Sequence, residues 1–132
     1  MRVAITEWQQ RVSPLFDVSR RLLIGETEGY GKPLSIVESL SLDYLGPTER
    51  SLTLKEASVD VVICGAISRE YEMALLDQEI ELNAFVAGNV ADIVLAWQEG
   101  LMFKVDRFSM PGCRCQRRRR RHQQFNEENN FL

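Results

Sequence analysis

The chain has 132 residues, 45% of them apolar and 27% charged, which suffices for one domain with its own hydrophobic core. No apolar run approaches the roughly 20 residues of a membrane helix, and the opening Met1-Arg2-Val3-Ala4-Ile5-Thr6 is too short and too quickly polar for a signal peptide, so a cytoplasmic protein is expected. The net charge of −3 divides unevenly: residues 1–112 carry 10 Lys and Arg against 17 Asp and Glu, whereas residues 113–132 carry 6 Arg against 2 Glu, a pattern that excludes a globally basic nucleic-acid binder.

Arg2–Thr6 reads as a short strand around Val3, Ala4 and Ile5. Glu7–Phe16 is mixed, with Ser13-Pro14 marking a loop. Arg21–Glu26 and Leu34–Leu40 read as strands joined by the turn Glu28-Gly29-Tyr30-Gly31-Lys32, so the first three strands suggest an antiparallel meander. Pro47 suits a helix start, and Thr48–Ala57 is a modest helix. Val59–Cys64 is an almost unbroken apolar run, as in a strand buried on both faces, and Gly65 ends it. Ile67, Tyr71, Ala74 and Leu75 recur at helical spacing, and Leu82–Val86 is a further strand. Gly88-Asn89 opens the clearest helix, with Val90, Ile93, Val94 and Trp97 on one stripe and Gly100 as its stop. The order β-β-β-α-β-α-β-α predicts an α/β fold with a mixed sheet between helices, in three layers. The pattern divides the chain into a folded domain, 1–112, and a basic flexible C-terminal tail, 113–132.

Ligands of open α/β sheets gather where parallel strands end. Here those ends are Cys64-Gly65-Ala66 and Val86-Ala87-Gly88-Asn89, each leading into a helix N-terminus that can hold an anion. Tight strand-to-helix turns explain the two glycines equally well. Catalysis finds little support. The single histidine, His122, lies in the tail, no Walker loop exists, and the first strand carries no acid for a ribonuclease-H-type two-metal site. The chain therefore reads as a non-enzyme.

Three cysteines, two of them at Cys113 and Cys115, do not form a disulfide framework. Thiolates are soft ligands for iron or molybdenum–sulfur species, but two of them complete no four-ligand site. Cys64 could add a third, or be a small buried hydrophobe. The run Arg117–Arg121 could grip phosphate, neutralise an anionic cluster, or be a solvated tail; it lacks interleaved aromatics for base stacking.

"MRVAIT" (1–6), "RVSPLFDVSRRLLI" (11–24), "DVVICGAIS" (60–68), "ELNAFVAGNVADIVLAW" (81–97) and "MPGC" (110–113) together resemble the dinitrogenase iron–molybdenum cofactor biosynthesis family, the nitrogenase accessory factor-like domains. The resemblance implies a ribonuclease H-like three-layer α/β/α fold with a five-stranded mixed sheet. It also implies a non-catalytic carrier of an iron–sulfur or molybdenum–iron–sulfur cofactor or precursor, acting in metallocofactor biosynthesis or storage, with cofactor-assembly or recipient proteins as partners. An interaction or nucleic-acid-binding module using the arginine tail is the alternative, and the acidic body argues against nucleic acid.

Many members of that family carry a Ser-x-His-Phe-Gly loop after the first strand. Here the stretch is Ser13-Pro14-Leu15-Phe16-Asp17, so Leu15 replaces a candidate histidine contact and Asp17 replaces the glycine. The expected cofactor-binding residues are Ser13, Phe16, Arg20, Cys64, Gly65, Ala66, Gly88 and Asn89, with Arg21 beside them. Cys113 and Cys115 are the expected metal ligands, and arginine suits a polyanionic cluster.

Overall fold

A computed structural model describes residues 1–43 and 45–101 and the backbone of 119–120. Five main strands build a mixed sheet: β1 (Arg2–Trp8), β3 (Arg21–Thr27), β4 (Leu34–Ser41), β5 (Val61–Ile63) and β6 (Glu81–Asn83). Two-residue strands extend it, β2 (Arg11–Val12) against the end of β1 and β7 (Arg119–Arg120) against β6. The spatial order is β4-β3-β1-β5-β6-β7. β4, β3 and β1 pair antiparallel, β1, β5 and β6 pair parallel, and β7 returns antiparallel. Helices α1 (Pro47–Glu56) and α2 (Arg69–Asp77) cover one face, and α3 (Val90–Glu99) covers the other, giving the expected α/β/α layers.

Strand periodicity divides the core. Successive side chains point to opposite faces, so Ala4, Val62 and Leu82 join Leu54 and Leu75 under α1 and α2, while Val3, Ile5, Val61 and Ile63 join Ile93 and Trp97 under α3. In β4 the alternation changes phase. Ile24 faces Glu38 but Gly25 faces Ile36, leaving Val37 as the extra residue of a bulge. Leu40 therefore packs with the α1/α2 core while Leu34 packs with the α3 core.

Helix α1 has few apolar residues, and its start is held by local chemistry. Pro47 stands at its beginning, and the Gly46 N–H donates to Glu49 Oε1 at 2.8 Å. Gly100 closes α3 in the left-handed conformation, φ 70°, as its position suggested.

Two expectations are corrected in detail. The strand expected over Arg2–Thr6 runs on to Trp8, into the stretch read as mixed, and turns back through Gln9 (φ 52°) and Gln10 (φ 69°) into β2. Two positive φ values fit the hairpin turn of primed type. The strand expected at 82–86 ends at Asn83, because Phe85 adopts φ 64° and leaves the ladder. Within the stretch expected as a basic flexible tail, 113–132, the described residues Arg119 and Arg120 pair with Asn83 and Leu82.

Candidate functional site

The carboxyl ends of β1, β5 and β6 lie on one edge, where their loops are stitched together. Ala66 N–H donates to Pro14 O and Phe16 N–H to Ala66 O, both at 2.8 Å. Phe85 N–H reaches Gly65 O at 2.9 Å, Val12 N–H reaches Gly88 O at 2.9 Å, and Val90 N–H reaches Gln10 O at 2.9 Å. The backbone groups of the expected pocket are thus largely consumed by one another.

This closure decides where the expected residues sit. Ser13, Phe16, Cys64 and Gly65 are buried beneath the stitched loops, and Ala66 and Gly88 are half-buried within them. A Cβ at Gly65 would stand 2.5 Å from the carbonyl oxygens of both Ser13 and Pro14, so the glycine permits the close approach of two backbones. Cys64 belongs to the core under α1 and α2. Asp17, at the position of the family's glycine, accepts the Ser68 N–H at 3.0 Å and so fastens the first loop to the start of α2. Leu15 bridges to Ala66.

A buried cation supports the loop from below. Arg50 of α1 is 3% exposed and donates to Phe16 O (2.8 Å), Ser19 Oγ (3.2 Å), Leu42 O (3.1 Å) and Leu45 O (3.0 Å). Its guanidinium lies over the rings of Phe16 and Tyr71, at 5.5 and 5.8 Å from their centroids. Loss of solvent lowers its pKa from the ordinary arginine value, opposed by Tyr71, Asp17 and Asp43, and the group stays protonated at neutral pH.

Arg20 and Asn89 remain at the surface, and they line a groove of about 1090 Å³ on the α3 face. Leu23, Ile36, Val90 and Val94 give it an apolar wall, Trp8 stands at one side, and Arg20 and Arg21 sit across from Asn89 and Asp92. Asn89 occupies the N-cap position of α3 but makes no side-chain cap; its Oδ1 instead accepts from Arg11 Nη1 at 3.2 Å. The helix start thus adds positive field to the groove mouth. Arg20 lies 3.7 Å from Asp43, and Arg21 lies 3.7 Å from Glu7. The Arg20–Asp43 pair is exposed and binds weakly, which leaves Arg20 available to an anion, whereas the Glu7 side chain is only 12% exposed.

The sequence reading missed Trp8, Ile36 and Asp92 as groove residues, and it missed Arg50. Trp8 and Ile36 are 58% and 42% exposed. Nothing in their local pattern separates an exposed apolar side chain from a core one. Cys113 and Cys115 lie outside the described residues, as does His122. Among the described residues, no group of three His, Cys, Asp or Glu side chains could hold a metal ion. No helix among them is long and apolar enough to cross a membrane.

The fold is shared with known proteins. A family model described as dinitrogenase iron–molybdenum cofactor matches residues 1–100, and the chain belongs to that family. Among solved structures, PH0822 is 26% identical with a TM-score of 0.66, over 76% of this chain and 92% of its own. The candidate NifB protein TM1290 from Thermotoga is 23% identical (TM-score 0.57, 76% and 89% covered). MJ0327 from Methanocaldococcus jannaschii, a candidate dinitrogenase, is 22% identical (TM-score 0.54, 76% and 90% covered). These two likenesses show the shared fold. No curated protein matches the chain significantly.

Proposed function

We propose that the protein binds and carries an anionic iron–sulfur or molybdenum–iron–sulfur cofactor, or a precursor of one, for delivery to assembly or recipient proteins, without catalysing a reaction itself. Membership of the iron–molybdenum cofactor family supports the cargo class. The observation that carries the reading is the groove, where Arg20, Arg21 and the start of α3 stand beside an apolar wall, with Glu7 and Asp92 also in the lining. Such a surface suits a large anion with little hydration of its own.

The thiols of Cys113 and Cys115 supply soft ligands to the cargo in this reading. Strand β7 supports it. Antiparallel pairing sets Arg119 against Asn83 and Arg120 against Leu82, so the chain enters β7 from the loop end of β6. Cys115 is four residues ahead of Arg119, which tethers it within about 14 Å of that residue. That short tether supports the thiol pair as ligands near the edge where the loops meet.

Anaerobic loading with iron, sulfide and molybdate tests this division of labour. Arg20→Glu with Arg21→Glu is expected to lower cargo retention on gel filtration about ten-fold or more, since a hydrogen bond to a charged group contributes about 1.5–3 kcal/mol. Retention equal to that of the parent chain would remove the groove from the reading.

A further inference from the structure

The groove carries both signs of charge beside its apolar wall, and that combination complements itself. Glu7 is engaged within the chain: it accepts the Gln10 N–H at 2.8 Å and lies 3.7 Å from Arg21. Among the described residues, Arg20 is held by its exposed pair with Asp43, a weak contact. Opposite it, Asp92 is exposed, and among the described residues it forms no ion pair. Arg11, just outside the lining, is bonded to Asn89. Each groove therefore offers one available cation and one available anion on opposite sides of Leu23, Ile36 and Val94, with Trp8 exposed beside them. We propose that this face is one half of a two-fold interface between two copies of the chain. Arg20 of each copy meets Asp92 of the other, and each Trp8 is covered by the other copy's apolar wall.

A two-fold axis brings the same patch of both copies together, so every contact occurs twice. A protein face of one sign gains at one side of this groove and loses at the other, whereas a second copy gains at both. The apolar part fits the same occupant. Trp8 from the β1–β2 hairpin, Ile36 from the edge strand β4 and Val94 from α3 converge on the groove from three elements distant in sequence. Single exposed apolar side chains need no explanation, but a contiguous set around a concave surface marks an interaction site. Tryptophan and arginine are the side chains most enriched at such interfaces. On the reading of the groove as the cargo site, a second copy and cargo exclude each other; the pairing itself does not depend on that reading.

Sedimentation equilibrium of the metal-free full chain, under reducing conditions, tests the pairing without any cargo, so its failure leaves the cargo reading standing. Two copies are expected to associate below about 1 mM chain. Arg20→Asp alone, or Asp92→Arg alone, is expected to raise the dissociation constant about ten-fold or more, because like charges then face each other twice. Mixed in equal amounts, these two variants are expected to pair with each other, since each carries the charge the other needs. A chain with both substitutions is expected to self-associate as the parent does. Trp8→Ser is expected to weaken association about ten-fold or more. Trp8 also gives an optical readout. The only other tryptophan, Trp97, is 2% exposed, with its Nε1–H held by Gly29 O at 3.1 Å. Acrylamide quenching therefore reads Trp8 and is expected to fall as chain concentration rises. A full chain that stays monomeric up to about 1 mM would overturn the proposal. A dimer unchanged by Arg20→Asp and by Trp8→Ser would also overturn it, since its contact then lies elsewhere. Failure of the two charge variants to pair on mixing, where the parent does pair, would do the same.

Discussion

At the residue scale, the chemistry of the candidate site depends on two residues that never touch its open groove. Gly65 lets the loops at 13–16 and 64–66 meet, because a side chain there would strike two carbonyl oxygens at 2.5 Å. Backbone atoms cannot swing aside as a flexible side chain does. Gly65→Ala is expected to destabilise the fold by about 1–3 kcal/mol, the usual range for overpacking, read as a lower urea midpoint with an unchanged slope. Arg50 binds three backbone carbonyls and a hydroxyl, and its bonds to Phe16, Ser19 and Leu42 are buried. Arg50→Met takes the guanidinium donors from Leu42 O and Leu45 O and leaves Phe16 O only its bonds from Ser19, and a loss of about 3 kcal/mol or more is expected in the same measurement. Arg50→Lys is expected to recover less than half of that loss, since an ammonium cannot span Phe16 and Leu42 with a planar fork. Gly65 was legible in the sequence as a turn after an apolar run. Arg50 was not, because an arginine in a polar helix looks solvated until the loops close over it.

At the element scale, apolar runs announced the five main strands, and Gly100 announced the end of α3. The β1–β2 hairpin went unread because Gln9-Gln10 carries none of the Asn-Gly or Asp-Gly signal that usually marks positive φ. The bulge at Val37 was equally silent: nothing in Leu-Ser-Ile-Val-Glu-Ser-Leu says where the strand changes phase. Deleting Val37 would restore strict alternation and turn Leu34 and Ile36 toward the opposite face, so a large fall in thermal midpoint is expected on heating. Strand β7 gives a further prediction. Glu81 N–H and Asn83 O bond toward β5, to Asp60 O and from Cys64 N–H, which leaves Leu82's backbone amide facing β7. A chain ending at Gly112 is expected to exchange the Leu82 amide hydrogen faster than the full chain, while the Glu81 amide changes little. Unchanged exchange at Leu82 would argue that β7 contributes nothing to the edge.

At the scale of the whole molecule, an acidic α/β/α body presents, at the end where its parallel strands stop, a groove lined by Arg20 and Arg21 together with Glu7 and Asp92. The topology was legible because short antiparallel connections precede strand–helix alternation, and few arrangements satisfy both. The site was legible only in part. Strand ends pointed to this edge, and Arg20 and Asn89 line its groove. Ser13, Phe16, Cys64 and Gly65 instead lie beneath it, since loops that approach one another satisfy their own hydrogen bonds before any ligand arrives. The absence of a three-ligand cluster among the described residues directs attention to Cys113 and Cys115. The decisive measurement is the metal content and absorption spectrum of the anaerobically loaded protein. The full chain should be compared with Cys113→Ser/Cys115→Ser and with a chain ending at Gly112. The account predicts retained iron or molybdenum with thiolate-to-metal absorption in the full chain, and loss of that absorption in both variants. A colourless, metal-free full chain, or equal metal and colour in all three, would contradict it.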